Sequence, residues 1–143
     1  MLVRLMYASR AATGVDHEEL GLIMRQSRGA NVRDGITGAL CFCTQGRLFI
    51  QVLEGSREAV SRRYNRIVAD TRHGDVTLLS FEEIGERRFA GWAMGQVNMG
   101  LLNPALLLKY SETANLDPWA VPARATAALF EEMVATAAIV GQT

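Results

Sequence analysis

The chain opens with a strict alternation. Val3, Leu5, Tyr7 and Ser9 fall on one side of residues 2–9, and Leu2, Arg4, Met6 and Ala8 on the other. A period of two predicts a strand. From Asp16 the period lengthens. Asp16 suits an N-cap with Glu19 three residues on, and Val15 and Leu20 hold the staple positions. Leu20, Ile23, Met24 and Ser27 then form a helical stripe, which reaches Asn31 and fades at Gly29-Ala30. Ile36 to Cys43 and Leu48 to Glu54 read as two strands. Thr44-Gln45-Gly46-Arg47 between them has the length and polarity of a hairpin loop.

Ser56 caps a second helix with the stripe Val60, Tyr64, Ile67 and Val68. Arg63, Arg66 and Asp70 lie along its flank. Arg72-His73-Gly74-Asp75 is a polar connection to a strand over Val76 to Phe81, and residues 82–91 are charged and irregular. Trp92 to Val97 is strand-like, with Trp92, Met94 and Gln96 on one face. Asn103-Pro104 starts a short helix. Ala123 to Val140 reads as a last helix with Phe130, Met133, Val134 and Ala137 on one side.

The order βαββαββ, then two helices, predicts an α+β fold with a ferredoxin-like sheet. Right-handed crossovers place both long helices on one face. The other face carries Leu2, Met6, Ile50 and Val52, and the two C-terminal helices are its expected cover.

Composition adds bounds. At 143 residues, 49% apolar and 21% charged, the chain suits one domain with a real core. Fifteen basic and fifteen acidic residues argue against a duplex nucleic-acid partner. The N-terminus lacks a signal-peptide pattern, and no apolar run approaches the ~20 residues that span a bilayer. Cys41 and Cys43 share a strand face without zinc-site spacing, as expected of a cytoplasmic protein with no metal.

One residue is out of place. Gln51 lies amid Leu48-Phe49-Ile50 and Val52-Leu53, on the face of Phe49 and Leu53. Burying an unpartnered amide costs about 1–3 kcal/mol, so a polar partner is expected. Tyr7 is on the adjacent strand. Asn31, Arg66, Asp70 and His73 end or flank the helices above the same face. Together these groups can line a slot between two helices, the general form of a small-molecule site. Taken singly, Tyr7 also reads as a core tyrosine, Arg66 and Asp70 as a surface ion pair, and Trp92 and Met94 as core.

LMYASR at 5–10, Asn31 to Gly38 ending in ITG, LFIQVLEG at 48–55, the helix ending in Asp70 with Arg72-His73, and RRFAGWAM at 87–94 resemble, as a set, the BLUF domains, flavin-binding blue-light sensors. The resemblance implies a sensor over residues 1–97, with 98–143 a helical cap of the same compact unit. It implies FAD as chromophore, a photoreceptor rather than an enzyme, and roles by position. Tyr7 is the implied electron donor and Gln51 the glutamine between it and the flavin. Asn31 is the implied ring partner. Ile23, Ser27, Arg66, Asp70 and His73 line the implied flavin site, and Trp92 and Met94 are the implied switch residues. The remaining short segment implies output through a noncovalent partner, or through a change in assembly of a homo-oligomer that Leu106–Leu108 and Phe130 could contact. A hydrolase of acylphosphatase type is the alternative, although no glycine-rich cradle lies beside Arg10. A bare interaction module is another.

Overall fold

Each element of the first half follows from the patterns above. In the computed structural model, which describes residues 1–136, 139 and 140, strand β1 spans Leu2–Ala11 and helix α1 spans His17–Asp34. Asp16 caps α1 by accepting the Glu19 N–H at 2.8 Å. The helix does not stop at Gly29-Ala30. It continues to Asp34 and ends at Gly35, whose φ of 67° is the left-handed turn that glycine adopts without strain. Asn31 therefore sits inside the last turns, with fixed backbone, rather than at a fraying end. Strands β2 (Thr37–Cys43) and β3 (Leu48–Ser56) form the hairpin. Ser56 caps α2 (Arg57–Val68) through the Ala59 N–H.

Strand β4 runs over His73–Ile84, longer than the apolar core of Val76 to Phe81 suggested. Its polar ends are recruited by pairing: Ala11 lies opposite His73 and Leu2 opposite Ile84. His73 is thus a strand residue and not part of a connection. Strand β5 is only Gly95–Val97, parallel to β2. Two further helices follow, α3 (Pro104–Tyr110) and α4 (Ala123–Ala135). The expected helix to Val140 ends early. Ile139–Val140 instead forms a sixth strand, β6, paired with β5, and Ala137 lies outside the described residues.

The sheet order is β4-β1-β3-β2-β5-β6. The side chains of β1 and β3 alternate between two cores. Val3, Leu5, Tyr7, Phe49 and Leu53 pack under α1 and α2 with Leu20, Met24 and Val60. Met6, Ala8, Ile50 and Val52 pack beneath the sheet on Leu107, Leu129, Phe130 and Met133 of α3 and α4. The C-terminal helices thus cover the second face as expected. Phe130 is 1% exposed, so it belongs to this core and is not free for a subunit contact, whereas Leu108 is exposed. Trp92 and Met94 do not share a face. They precede β5, outside the strand ladder, and Trp92 packs on the lower core and Met94 in the upper one.

Candidate functional site

Pairing of β1 with β3 sets Tyr7 directly opposite Gln51, and Leu40 of β2 flanks Gln51 on its other side. Both polar side chains are buried, Tyr7 at 3% and Gln51 at 4% exposure. The Tyr7 hydroxyl donates to Gln51 Oε1 at 2.5 Å. Gln51 Nε2 donates to Met94 Sδ at 3.4 Å. The misplaced glutamine therefore meets a phenol on one side and a thioether, a weak acceptor, on the other. Burial pushes the Tyr7 phenol far above its ordinary range, and neighbouring Tyr64 and Asp70 add to the shift. Tyr7 is held neutral with its hydrogen on the glutamine.

Above this pair α1 and α2 frame a slot. Tyr7, Ile23, Ser27, Leu40, Phe49, Gln51, Ile67, Asp70, Arg72 and His73 line it. Ile23 and Ser27 stand one helical turn apart on α1, as the stripe requires. His73 bridges two elements: Nδ1 meets Ser9 Oγ at 2.7 Å, and Nε2 meets the Ile67 carbonyl at 2.5 Å. The carbonyl can only accept, so Nε2 carries the hydrogen, and the Ser9 hydroxyl can serve Nδ1 as either donor or acceptor. Asp70 pairs with Arg72 at 2.6 Å, and the Arg72 hydrogen bonds hold the Asp70 carboxyl below the usual carboxylate range. Arg72 also reaches Gln26 of α1 at 2.9 Å and so ties α1 to the turn between α2 and β4.

Asn31 is 1% exposed and adjoins the slot without lining it. Its Nδ2 donates to the Ala93 carbonyl at 2.7 Å, while its Oδ1 is buried without a hydrogen-bond partner. Arg28 Nε donates to the Met94 carbonyl at 3.2 Å. Two side chains of α1 thus hold the backbone on which Met94 rides. Arg66, like Asn31, is an expected site residue that does not line the slot. It is exposed on α2. Arg72 takes the position facing the cavity. Sequence reasoning missed it as a slot residue, although its spacing two after Asp70 was a usable signal. Phe49, Leu40 and Ile67, the apolar walls, were hidden among ordinary core residues.

The chain matches the family described as sensors of blue light using FAD, over residues 2–95. It belongs to the BLUF family. BLUF relatives include the photoactivated adenylate cyclase subunit beta of Euglena gracilis, 38% identical over 86 residues that make 60% of this chain and 10% of that one. A subunit beta-like protein FB of Euglena gracilis is 32% identical over 102 residues, 71% of this chain and 12% of that one. This chain therefore spans about a tenth of the length of those cyclases. Among solved structures, the photo-activated state of BlsA superposes with a TM-score of 0.83 at 28% identity, covering 100% of this chain and 99% of the other. Dark-state BlrB, a BLUF protein, gives 0.74 at 31% identity over 95% and 96%. The matched residues thus form a domain of a family described as flavin-using blue-light sensors. The hydrolase alternative falls with this assignment, and Arg10 is occupied elsewhere, stacked 4.2 Å from the Trp119 ring centroid.

The residues fit a flavin in kind. Such a ring offers flat apolar faces and an edge with both donors and acceptors. Ile23, Leu40, Phe49 and Ile67 suit the faces, and the unpaired Asn31 Oδ1 and the weakly engaged Gln51 amide suit the edge. The slot itself is narrow, with about 70 Å³ of free volume. Ligand sites run to roughly 300–1,000 Å³. Among the described residues no cluster suited to a metal occurs, and no helix is long and apolar enough to cross a membrane.

Proposed function

We propose that this chain senses blue light with FAD and signals through the segment that leads into β5, without catalytic activity of its own. The observation that carries the proposal is the hydrogen-bond chain Tyr7–Gln51–Met94, which joins the slot to the segment leading into β5. When bound, the flavin supplies the absorption of blue light and an excited state that accepts electrons. Tyr7 is the residue suited to give up an electron, and its phenolic hydrogen already points at Gln51 Oε1. Gln51 can hold that proton or turn its amide, because its two ends differ as donor and acceptor. Either change alters what Met94 meets. Asn31 and Arg28 hold the Ala93 and Met94 carbonyls and keep the segment in contact with the slot. Ser27, Asp70, Arg72 and His73 line the slot.

The names of the cyclase relatives support a signalling role, in which this chain acts in the cytoplasm through a separate partner or a change in its own assembly. The test is direct. Purified protein is denatured and the released chromophore identified by chromatography. FAD is the expected result, and blue light should shift the absorption of the folded protein reversibly to the red. A protein that cannot be reconstituted with any flavin refutes the proposal.

A further inference from the structure

The lower core holds a charged group that the photochemistry does not use. Glu54 lies on β3 three residues from Gln51 and faces the opposite side of the sheet. It is 0% exposed. Its carboxylate accepts from Arg4 Nε at 2.9 Å and forms an ion pair with Arg4 Nη2 at 2.8 Å. It also accepts the backbone N–H of Arg88 and of Phe89, each at 2.8 Å, and Thr37 Oγ1 lies 3.4 Å away. A carboxylate with this many donors is a fixed point, because charge-assisted bonds are the strong ones and losing one partner leaves a buried charge.

The residues it holds begin the segment that ends at Met94. Along that segment the Phe89 ring meets the Phe130 ring of α4 edge-on at 6.4 Å. The Trp92 N–H donates to the Phe89 carbonyl, and the Trp92 carbonyl accepts from Gly38 on β2, both at 3.0 Å. Its far end touches Gln51. Both ends of the segment are therefore referred to one strand, β3: one to Gln51 above the sheet, the other to Glu54 below it.

Resting on the reading of this chain as an FAD-based sensor, we propose that Glu54 is a positioning residue for signal output. By fixing the Arg88–Phe89 end, it prevents the segment from sliding as a whole when Gln51 changes what Met94 meets. Displacement at Met94 is then taken up between Met94 and the fixed end, at Trp92, which packs on the lower core that α4 helps to form.

The test uses the full-length flavoprotein and hydrogen exchange, lit against dark. In unmutated protein, exchange over residues 124–135 should differ between the two states, while the Arg88 and Phe89 amides stay protected in both. Glu54→Gln keeps the shape and removes the charge. It should retain flavin and the red shift, alter the rate of dark recovery by roughly 2- to 30-fold, the span of ordinary coupling effects, and lose the difference over 124–135. Arg88→Ala removes the side-chain pair with Glu131, at 3.2 Å, but keeps the backbone N–H, and should behave as the unmutated protein. The proposal is overturned if Glu54→Gln keeps both the recovery rate and the difference. It is equally overturned if Arg88→Ala abolishes the difference, or if illuminated unmutated protein loses protection at 88 and 89. The last measurement stands even where Glu54→Gln fails to fold. Unmutated protein without a red shift would instead refute the photoreceptor reading itself.

Discussion

At the scale of single residues the site depends on two buried polar side chains that satisfy each other. Tyr7→Phe and Gln51→Ala should each retain flavin and abolish the light-induced red shift, because they remove the donor and the switching amide but leave the slot walls. A normal red shift in either variant, read in an ordinary absorption spectrum, would sink the assigned roles. Tyr7 also carries a pH signature. Its folded pKa lies far above the ordinary value of about 10. Above that pH the unfolded chain loses the proton and the folded chain keeps it, so stability falls as pH rises, by at most about 1.4 kcal/mol per pH unit for one such group. Denaturant midpoints between pH 9 and 11 should fall more steeply in the unmutated protein than in Tyr7→Phe, and parallel falls would exonerate Tyr7. Much of this scale was legible beforehand. Gln51 announced itself by breaking an apolar run, and Tyr7 by its place in a strict alternation. Glu54 did not, because a glutamate at the end of a strand beside Gly55 looks like an exposed terminus. Its burial is created by the 85–92 loop folding back over it, a nonlocal event with no local signal.

At the scale of elements the same division holds. β1, α1, β2, β3 and α2 were readable because each has a cap, a turn or a clean period. β4 was read too short because its ends are polar and gain their structure from β1. Trp92 to Met94 was read as strand because three alternating residues fit one, yet the backbone there is held by side chains of α1 and by Gly38 rather than by a strand ladder. Gly38 itself permits the close approach of β2 and β3. A Cβ at this position would lie 1.9 Å from the Val52 carbonyl oxygen, a backbone atom that cannot swing away. Gly38→Ala should therefore cost at least about 1–3 kcal/mol, the range for overpacking a tight interior. A thermal melt checks it, and a melting temperature equal to that of the unmutated protein would contradict the packing described.

At the scale of the whole molecule the sheet separates two cores, the upper one under α1 and α2 and the lower one on α3 and α4, and in the proposed function the short passage through Trp92 and Met94 carries the signal between them. Met94→Ala should leave the red shift present and weaken the lit-against-dark difference in exchange over 95–135. If the unmutated protein exchanges equally there in both states, the signal leaves by another route. The strand order has a consequence for how the molecule is made. β1 precedes the other strands of the sheet in sequence but lies in its interior, between β3 and β4, with Leu2 opposite Ile84. A nascent chain must therefore close a long loop before its first strand is enclosed, and pairings so distant in sequence slow folding. Until then Met6 and Val3 are open to the wrong partners, which is the condition under which chains aggregate or recruit chaperones. A fragment of residues 1–71 contains both long helices and the hairpin but no β4. It should show no cooperative melting by circular dichroism, and a sharp transition in that fragment would mean that β4 is dispensable for enclosing β1.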